Sequence, residues 1–113
     1  RINAALEQSP EDLVLLNLQA YNHKNLAQAY QRQAMMDLVE ENLSVAEGTF
    51  LLVLSREPAN ASAWNGLGSV YLMRCMVERA EAAILKALDV DPNYAAAKHD
   101  LGLIPLYRDK CGG

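Results

Sequence analysis

The chain has 113 residues, of which 51% are hydrophobic, 21% charged and 6% aromatic, and its formal net charge is −4. This length allows one domain or part of one, and the acidic balance argues against the basic stripe of a nucleic-acid-binding protein, so no nucleic-acid partner is expected. The uncharged stretch 59–73 is too short and too polar to span a bilayer, so no membrane insertion is expected. Ala and Leu dominate the apolar residues, which favours helix over strand.

Three segments of the chain end in the same way, which indicates an internal repeat. Each has an apolar residue, then Leu, then Pro four positions after the Leu: 4–10, 52–58 and 86–92. A helix that must stop and turn back explains this ending, because Pro cannot continue a helix interior. The interval from Pro58 to Pro92 has the length of a regular repeat, whereas the interval from Pro10 to Pro58 is longer. The longer interval therefore contains an insertion.

In chain order, the first predicted element is one long helix near residues 11–41. Glu11 and Asp12 provide an acidic first turn, and neither Gly nor Pro interrupts 11–47. The alternative is a turn at 22–25 between two shorter helices. Because the following helix would cover only half of so long an element, we expect a second copy of the chain, or other parts of a parent protein, to cover the remaining apolar stripe.

Two shorter helices are predicted next, one that contains 63–71 and a second over about 77–90. Asn60 or Ser62 can cap the first of them, and the apolar positions of both recur at helical spacing. Gly66 and Gly68 lie inside the first helix, where Gly costs about 1 kcal/mol relative to Ala. Such a cost is expected where a neighbouring helix approaches too closely to admit a side chain.

This pair of helices resembles the tetratricopeptide repeat, whose pattern is W-x2-L-G-x2-Y, A-x3-F, P. Ile84 replaces the usual aromatic residue, and Cys75 occupies a turn position where the family often has Gly. Residues 27–60 match more weakly, and 95–107 match the start of another repeat. The resemblance implies that these residues pack the repeat: Trp64, Leu67, Gly68, Tyr71, Ala80, Ile84, Ala87 and Pro92.

The resemblance implies an all-α fold of antiparallel helix pairs, stacked as a short right-handed solenoid. We expect 1–10 to end a preceding repeat, 11–60 to form an irregular repeat with the insertion, and 61–94 to form a regular one. Pro105 predicts a short capping helix over 95–107, followed by a flexible tail at 108–113. The chain therefore resembles a length cut from a longer array.

The family resemblance also implies a function, which is to bind a protein or peptide in the concave groove lined by the first helix of each pair. The subset of the family that clamps a peptide carboxylate is not expected, since Gly66 and Asp100 stand where it has Asn and a basic residue. The alternative is a structural or oligomerising segment of a larger enzyme or sensor. The groove candidates are Asn17, Tyr21, Gln28, Gln31, Ser62, Asn65, Ser69, Leu72, Met73 and His99, with Met35, Ala96 and Leu103 as further positions.

No motif in the sequence predicts catalysis, a metal or a cofactor. His23 and His99 have no partner at metal-ligand spacing, and no phosphate-binding or nucleophile motif is present. Cys75 is expected to be an unreactive turn residue, and Cys111 to lie in the tail, where it could form disulfide-linked dimers. No signal-peptide pattern opens the chain, which begins at Arg1 and is therefore expected to be an excised fragment. The sequence leaves the location unknown, with a cytoplasmic one favoured.

Overall fold

The structure is a computed structural model that describes residues 10–112, with side chains described for 12–111. Within this range the chain forms five α-helices and no strand, which confirms the predicted all-α class. The helices are α1 (Pro10–Arg32), α2 (Met36–Arg56), α3 (Ala61–Met73), α4 (Val77–Val90) and α5 (Ala95–Gly112). Most of the predicted end of a preceding repeat, 1–10, lies outside the described residues.

The helices form two hairpins, α1/α2 and α3/α4, followed by α5. The connections are 33–35, 57–60, 74–76 and 91–94, so they alternate between three and four residues. Such short connections force consecutive helices to pack antiparallel. The molecule measures 48 × 34 × 18 Å, and its smallest dimension corresponds to two layers of helices. Helix α3 contacts all four other helices of the described range.

The turns within the two hairpins have the same backbone geometry. Ala34 has φ 59° and Cys75 has φ 61°, so both lie in the left-handed region. The N–H of Met35 donates to a carbonyl five residues earlier at 3.0 Å, and the N–H of Met76 does the same at 2.9 Å. These bonds define the Schellman ending of a helix, in which Gly usually occupies the left-handed position. A non-Gly residue there costs about 1–2 kcal/mol.

The additional residues of the first interval are divided equally between α1 and α2. Ala34 lies midway between Pro10 and Pro58, just as Cys75 lies midway between Pro58 and Pro92. The interval from Pro to the turn residue and the interval from the turn residue to the next Pro are therefore each seven residues longer in the first hairpin than in the second. Seven residues are nearly two helical turns, so the extension rotates the apolar stripe by only about 20°. The same face of each helix consequently stays buried along its whole length.

The predicted continuous helix over 11–41 is wrong, because α1 ends at Arg32 and α2 begins at Met36. The alternative turn at 22–25 is also wrong, since those residues lie inside α1. The reason is the Schellman turn at 33–35, which needs neither Gly nor Pro.

The additional residues of the first hairpin correspond to 22–28 in α1 and 39–45 in α2, which we call the extended segments. Buried residues from these two segments pack together. Ala27 is fully buried in α1, and Val39 and Leu43 are 3% and 2% exposed in α2. His23 and Asn42 join the same two segments, because His23 Nδ1 and Asn42 Oδ1 are 2.7 Å apart. His23 is thus part of the hairpin interior and has a polar partner there.

The two glycines of α3 allow close packing with its neighbours, as predicted. A Cβ atom on Gly66 would lie 2.2 Å from Cζ of Phe50 in α2. A Cβ atom on Gly68 would lie 2.8 Å from Cγ1 of Ile84 in α4. The predicted cap is also confirmed, since Asn60 Oδ1 accepts a hydrogen bond from the N–H of Ala63 at 2.9 Å.

Seven of the eight predicted packing residues are buried or partly buried in the core around α3 and α4. Trp64 and Tyr71 are partly buried and contact two clusters of core residues, one around Phe50 and one around Ile84. Pro92 is exposed in the connection between α4 and α5. The remaining predicted packing residues are buried: Leu67, Gly68, Ala80, Ile84 and Ala87.

The C-terminal helix α5 differs from its prediction in two respects. It continues through Pro105 to Gly112, so the predicted break near 107 and the flexible tail at 108–112 are wrong. Pro105 is exposed, and the solvent side of a helix best tolerates a missing backbone bond. Cys111 is joined to Cys75 by a disulfide with a Cα–Cα distance of 5.4 Å, so neither thiol is free.

Candidate binding groove

A groove lies between α1, α3 and α5 and encloses a cavity of about 300 Å³. One helix from each hairpin and the C-terminal helix form its walls, so residues far apart in sequence meet there. We call it the α1–α3–α5 groove. Its lining residues are Tyr21, Lys24, Gln28, Asn65, Ser69, Leu72, Met73, Tyr94, Ala96, Asp100, Leu103 and Tyr107.

The structure brings most of the predicted groove residues together. Asn17 and Ser62 lie beside the cavity and bond to each other. Gln31 lines a different concavity, Met35 is 42% exposed at the first hairpin turn, and His99 is exposed outside the cavity lining. The predicted residues that line the cavity are Tyr21, Gln28, Asn65, Ser69, Leu72, Met73, Ala96 and Leu103.

Asn65 is the most buried polar side chain of the cavity lining, with 4% of its surface exposed. Its Oδ1 atom accepts no hydrogen bond from any described residue. A buried acceptor without a donor costs about 1–3 kcal/mol, so such atoms are uncommon in folded proteins. Asn65 lines the cavity, but its Oδ1 atom is closed to solvent, so a donor from outside the chain reaches it only after the amide rotates toward the cavity.

Neighbouring polar groups fix the side chains of α1 against α3. The Tyr21 hydroxyl donates to the carbonyl of Ser62 at 2.6 Å, and Asn17 Nδ2 donates to Ser62 Oγ at 2.8 Å. The Tyr21 ring also contacts Phe50 edge-on, with 5.0 Å between the ring centroids. Burial raises the pKa of Tyr21 to about 12. Tyr21 is therefore neutral at physiological pH and acts as a hydrogen-bond donor.

One cation and one anion line opposite walls of the cavity. Lys24 of α1 lies over the Tyr21 ring, with Nζ 5.5 Å from the centroid. Burial lowers the pKa of Lys24, and the Asp100 carboxylate partly opposes that change. Ser69 Oγ donates to Asp100 Oδ2 at 3.3 Å, which joins α3 to α5. The groove thus offers charges of both signs, amides, hydroxyls and apolar side chains, a mixture suited to a polypeptide.

Sequence reasoning missed four residues of the cavity lining: Lys24, Tyr94, Asp100 and Tyr107. Asp100 stands one repeat length after Gly66. Its place on the repeat therefore indicated a residue that faces the groove, with a charge that disfavours a carboxylate ligand. Lys24 lies seven residues beyond Asn17, nearly two helical turns along α1, and that spacing was the available signal. Tyr94 precedes α5, Tyr107 lies near its C-terminal end, and neither carried a distinctive signal in the sequence.

A second surface of interest is an exposed apolar face on α1. Val14, Leu15 and Leu18 are 60%, 55% and 56% exposed, and we call these three residues the α1 face. When Pro10 is aligned with Pro58, Leu15 and Leu18 correspond to Ala63 and Gly66, which are buried. Gly66 is buried against Phe50 of α2. The α1 face therefore corresponds to a surface of α3 that another helix covers.

Other kinds of site are not found in the described part of the chain. Within 10–112, no group of three or more His, Cys, Asp or Glu residues is arranged to bind a metal ion. No helix among the described residues is both long and apolar enough to cross a membrane. Compared with known proteins, the chain matches no family model, and no curated protein is significantly similar to it.

Proposed function

We propose that this chain is a non-catalytic protein–protein interaction scaffold that binds an extended peptide or a partner helix in the α1–α3–α5 groove. We further propose that its hairpins are of the tetratricopeptide type and continue as a right-handed solenoid, of which α1, α3 and α5 line the concave face. The repeated hairpin turns and the alternating lengths of the connections support this proposal.

The observation that carries the proposal is the unpaired Oδ1 atom of Asn65 in the wall of the cavity. Rotation of the Asn65 amide toward the cavity would let the main-chain N–H of an extended peptide reach and satisfy this acceptor, which is closed to solvent in the free chain. Leu72, Met73 and Leu103 line the same cavity and supply apolar contacts for the peptide side chains. Backbone hydrogen bonds would give affinity, and these apolar contacts would select among sequences.

Selection from a random peptide library with the purified chain tests the proposal. We expect enriched peptides to bind with micromolar affinity and to lose roughly tenfold when Asn65→Leu removes the acceptor. Gln19→Ala is the matched control, because Gln19 is an exposed polar residue of α1 outside the cavity lining. Circular dichroism of both variants verifies that they are folded.

Leu103→Ala provides a second variant at the opposite wall of the groove, in case Asn65→Leu perturbs α3. It is expected to weaken the same peptides severalfold by removing apolar contact. If no peptide is enriched, or if enriched peptides bind both groove variants as tightly as the native chain, the proposal is wrong.

We propose self-association through the α1 face as a second function, in which the chain is an oligomerising segment of a larger enzyme or sensor. Its support is the exposure of Val14, Leu15 and Leu18 on a face that corresponds to a covered one in α3. A second copy of the chain is the occupant we propose. A monomeric mass by light scattering at every accessible concentration would exclude it.

A further inference from the structure

The Cys75–Cys111 disulfide joins two parts of the fold that are distant in sequence. Cys75 occupies the left-handed position of the turn between α3 and α4, and Cys111 lies in the last turn of α5. The two residues are 36 apart along the chain. The bond therefore ties the C-terminal end of α5 to the preceding hairpin.

Apart from this bond, few interactions attach the end of α5 beyond Pro105. Tyr107 is partly buried against the core around Ile84. Arg108 is 2.9 Å from a carboxylate oxygen of Glu81 and 3.6 Å from one of Glu78, but its side chain is 46% exposed, and such surface ion pairs add little stability. Pro105 also removes one backbone hydrogen bond from the helix. The segment 106–111 consequently depends on the disulfide for its order.

The same segment forms part of the groove. Tyr107 lines the cavity together with Asp100 and Leu103 of the preceding turns of α5. Motion at the end of α5 would therefore displace one wall of the α1–α3–α5 groove.

The disulfide is accessible to a reductant. Cys75 is exposed, and a surface cavity of about 270 Å³ lies beside the bond. Its lining includes both cysteines and Arg108. A thiolate can approach Cys75 through this opening, which Glu78 also lines, and displace Cys111 as the leaving thiolate.

We propose that the Cys75–Cys111 disulfide is a redox latch that fixes the end of α5 and, with it, the Tyr107 wall of the groove. A small dithiol, or a protein with a reactive dithiol, opens the latch. One of its sulfurs attacks Cys75 Sγ and releases the Cys111 thiolate, and its second sulfur then displaces Cys75. The protein gains two electrons and two protons, and the dithiol leaves as its own disulfide.

The redox state of the compartment determines whether the latch is closed. In an oxidising compartment the bond persists and the groove wall is fixed, whereas in a reducing one the bond opens. The effect on peptide binding rests on the proposed function, while the effect on α5 does not.

Hydrogen exchange measured by mass spectrometry, in the oxidised and the dithiothreitol-reduced protein, tests the latch. We expect the amides of 106–111 to exchange about tenfold faster or more after reduction, with the amides of α1 and α2 unchanged. The variant Cys75→Ser/Cys111→Ser is the control, and it should exchange like the reduced protein whether or not dithiothreitol is present. Equal exchange of 106–111 in the two redox states would overturn the proposal, as would two free thiols after equilibration with oxidised glutathione.

Affinity for a peptide selected on the oxidised chain tests the coupling to the groove. We expect reduction to weaken binding at least fivefold in the native protein and to have no effect on the double serine variant. Unchanged affinity would overturn the control of the groove by the latch. If no peptide binds in either state, the proposed function fails, and the exchange measurement still decides whether the latch exists.

Discussion

Gly66 is the residue at which the packing of α3 leaves least room for a side chain. An added Cβ atom would lie 2.2 Å from Phe50 Cζ, and the Phe50 ring is fully buried and cannot move aside freely. Overpacking a core costs about 1–3 kcal/mol, which here exceeds the roughly 1 kcal/mol that Ala gains over Gly in a helix. We therefore expect Gly66→Ala to lower the free energy of unfolding by about 1–2 kcal/mol once the helix-propensity gain is subtracted, measured by urea denaturation.

Gly102 provides the matched control for this substitution. It also lies inside a helix, but it is exposed and an added Cβ atom would have no neighbour within 4 Å. Gly102→Ala should raise the free energy of unfolding by roughly 0.5–1 kcal/mol. If both substitutions stabilise the protein, the close approach of α2 to Gly66 does not exist.

Tyr21 makes the stability of the fold depend on pH in the alkaline range. Its pKa is raised to about 12 by burial, from an ordinary value of 10.0. The native state therefore keeps this proton where the unfolded chain loses it. The stability that follows is fully present below pH 10 and is lost as the pH rises to 12, by roughly 2–3 kcal/mol.

A titration followed by tyrosinate absorbance measures this pKa directly. The native chain contains five tyrosines, and we expect the component of highest pH to disappear in Tyr21→Phe. Tyr30→Phe, the control, should leave that component in place. The same component in Tyr21→Phe would mean that another residue carries the shift.

At the scale of the helices, the sequence predicted α3 and α4, because capping residues or prolines mark their ends. Asn60 marked the start of α3, and the helix predicted over about 77–90 coincides with α4. The turn at 33–35 was missed because Ala34, not Gly, occupies its left-handed position. The available signal was a Tyr followed five residues later by Met, at 30–35 and again at 71–76. The disulfide could not be predicted, because two cysteines so far apart in sequence give no indication of proximity.

The additional residues of the first hairpin are divided equally between α1 and α2, so an equal deletion from both helices should preserve their pairing. We expect deletion of 22–28 together with 39–45 to leave a folded chain whose first repeat has the same length as 59–92. His23 and Asn42 are hydrogen-bond partners and disappear together, and so do the buried contacts of Ala27, Val39 and Leu43. Deleting only one segment leaves buried residues of the other without a partner. The free energies should therefore be non-additive, with the double deletion less damaging than the sum of the singles by about 1–3 kcal/mol.

Shorter deletions at the same two places provide the control. Removing 22–26 and 39–43 takes five residues from each helix and rotates the apolar stripe by about 140°. That chain should lose its cooperative unfolding transition although it is four residues longer. Additive effects of the two seven-residue deletions would show that the extended segments of α1 and α2 do not pack together.

At the scale of the whole molecule, the sequence predicted many residues of the groove but not how they contact one another, because those contacts depend on how the helices pack. Asn17, Tyr21 and Ser62 were predicted as groove candidates, and the structure places them in one hydrogen-bonded set. Lys24 and Asp100 also line the cavity, although neither was among the predicted groove residues. The exposure of the α1 face could not be predicted from a stripe pattern, which identifies apolar residues without saying what covers them.

The mass of the protein in solution should depend on concentration if the α1 face binds a second copy. Leu15 and Leu18 are about half exposed, so their burial would contribute about 1 kcal/mol each. We expect the native mass to rise from monomer towards dimer with concentration, in light scattering, and Leu15→Glu/Leu18→Glu to remain monomeric. Leu51→Glu is the matched control, because Leu51 is 47% exposed on α2, and this variant should still dimerise.

Added reductant should leave the native dimer intact, since Cys111 is already paired within the chain. A dimer that persists in the double variant, or one that reductant dissociates, would assign the association to another surface.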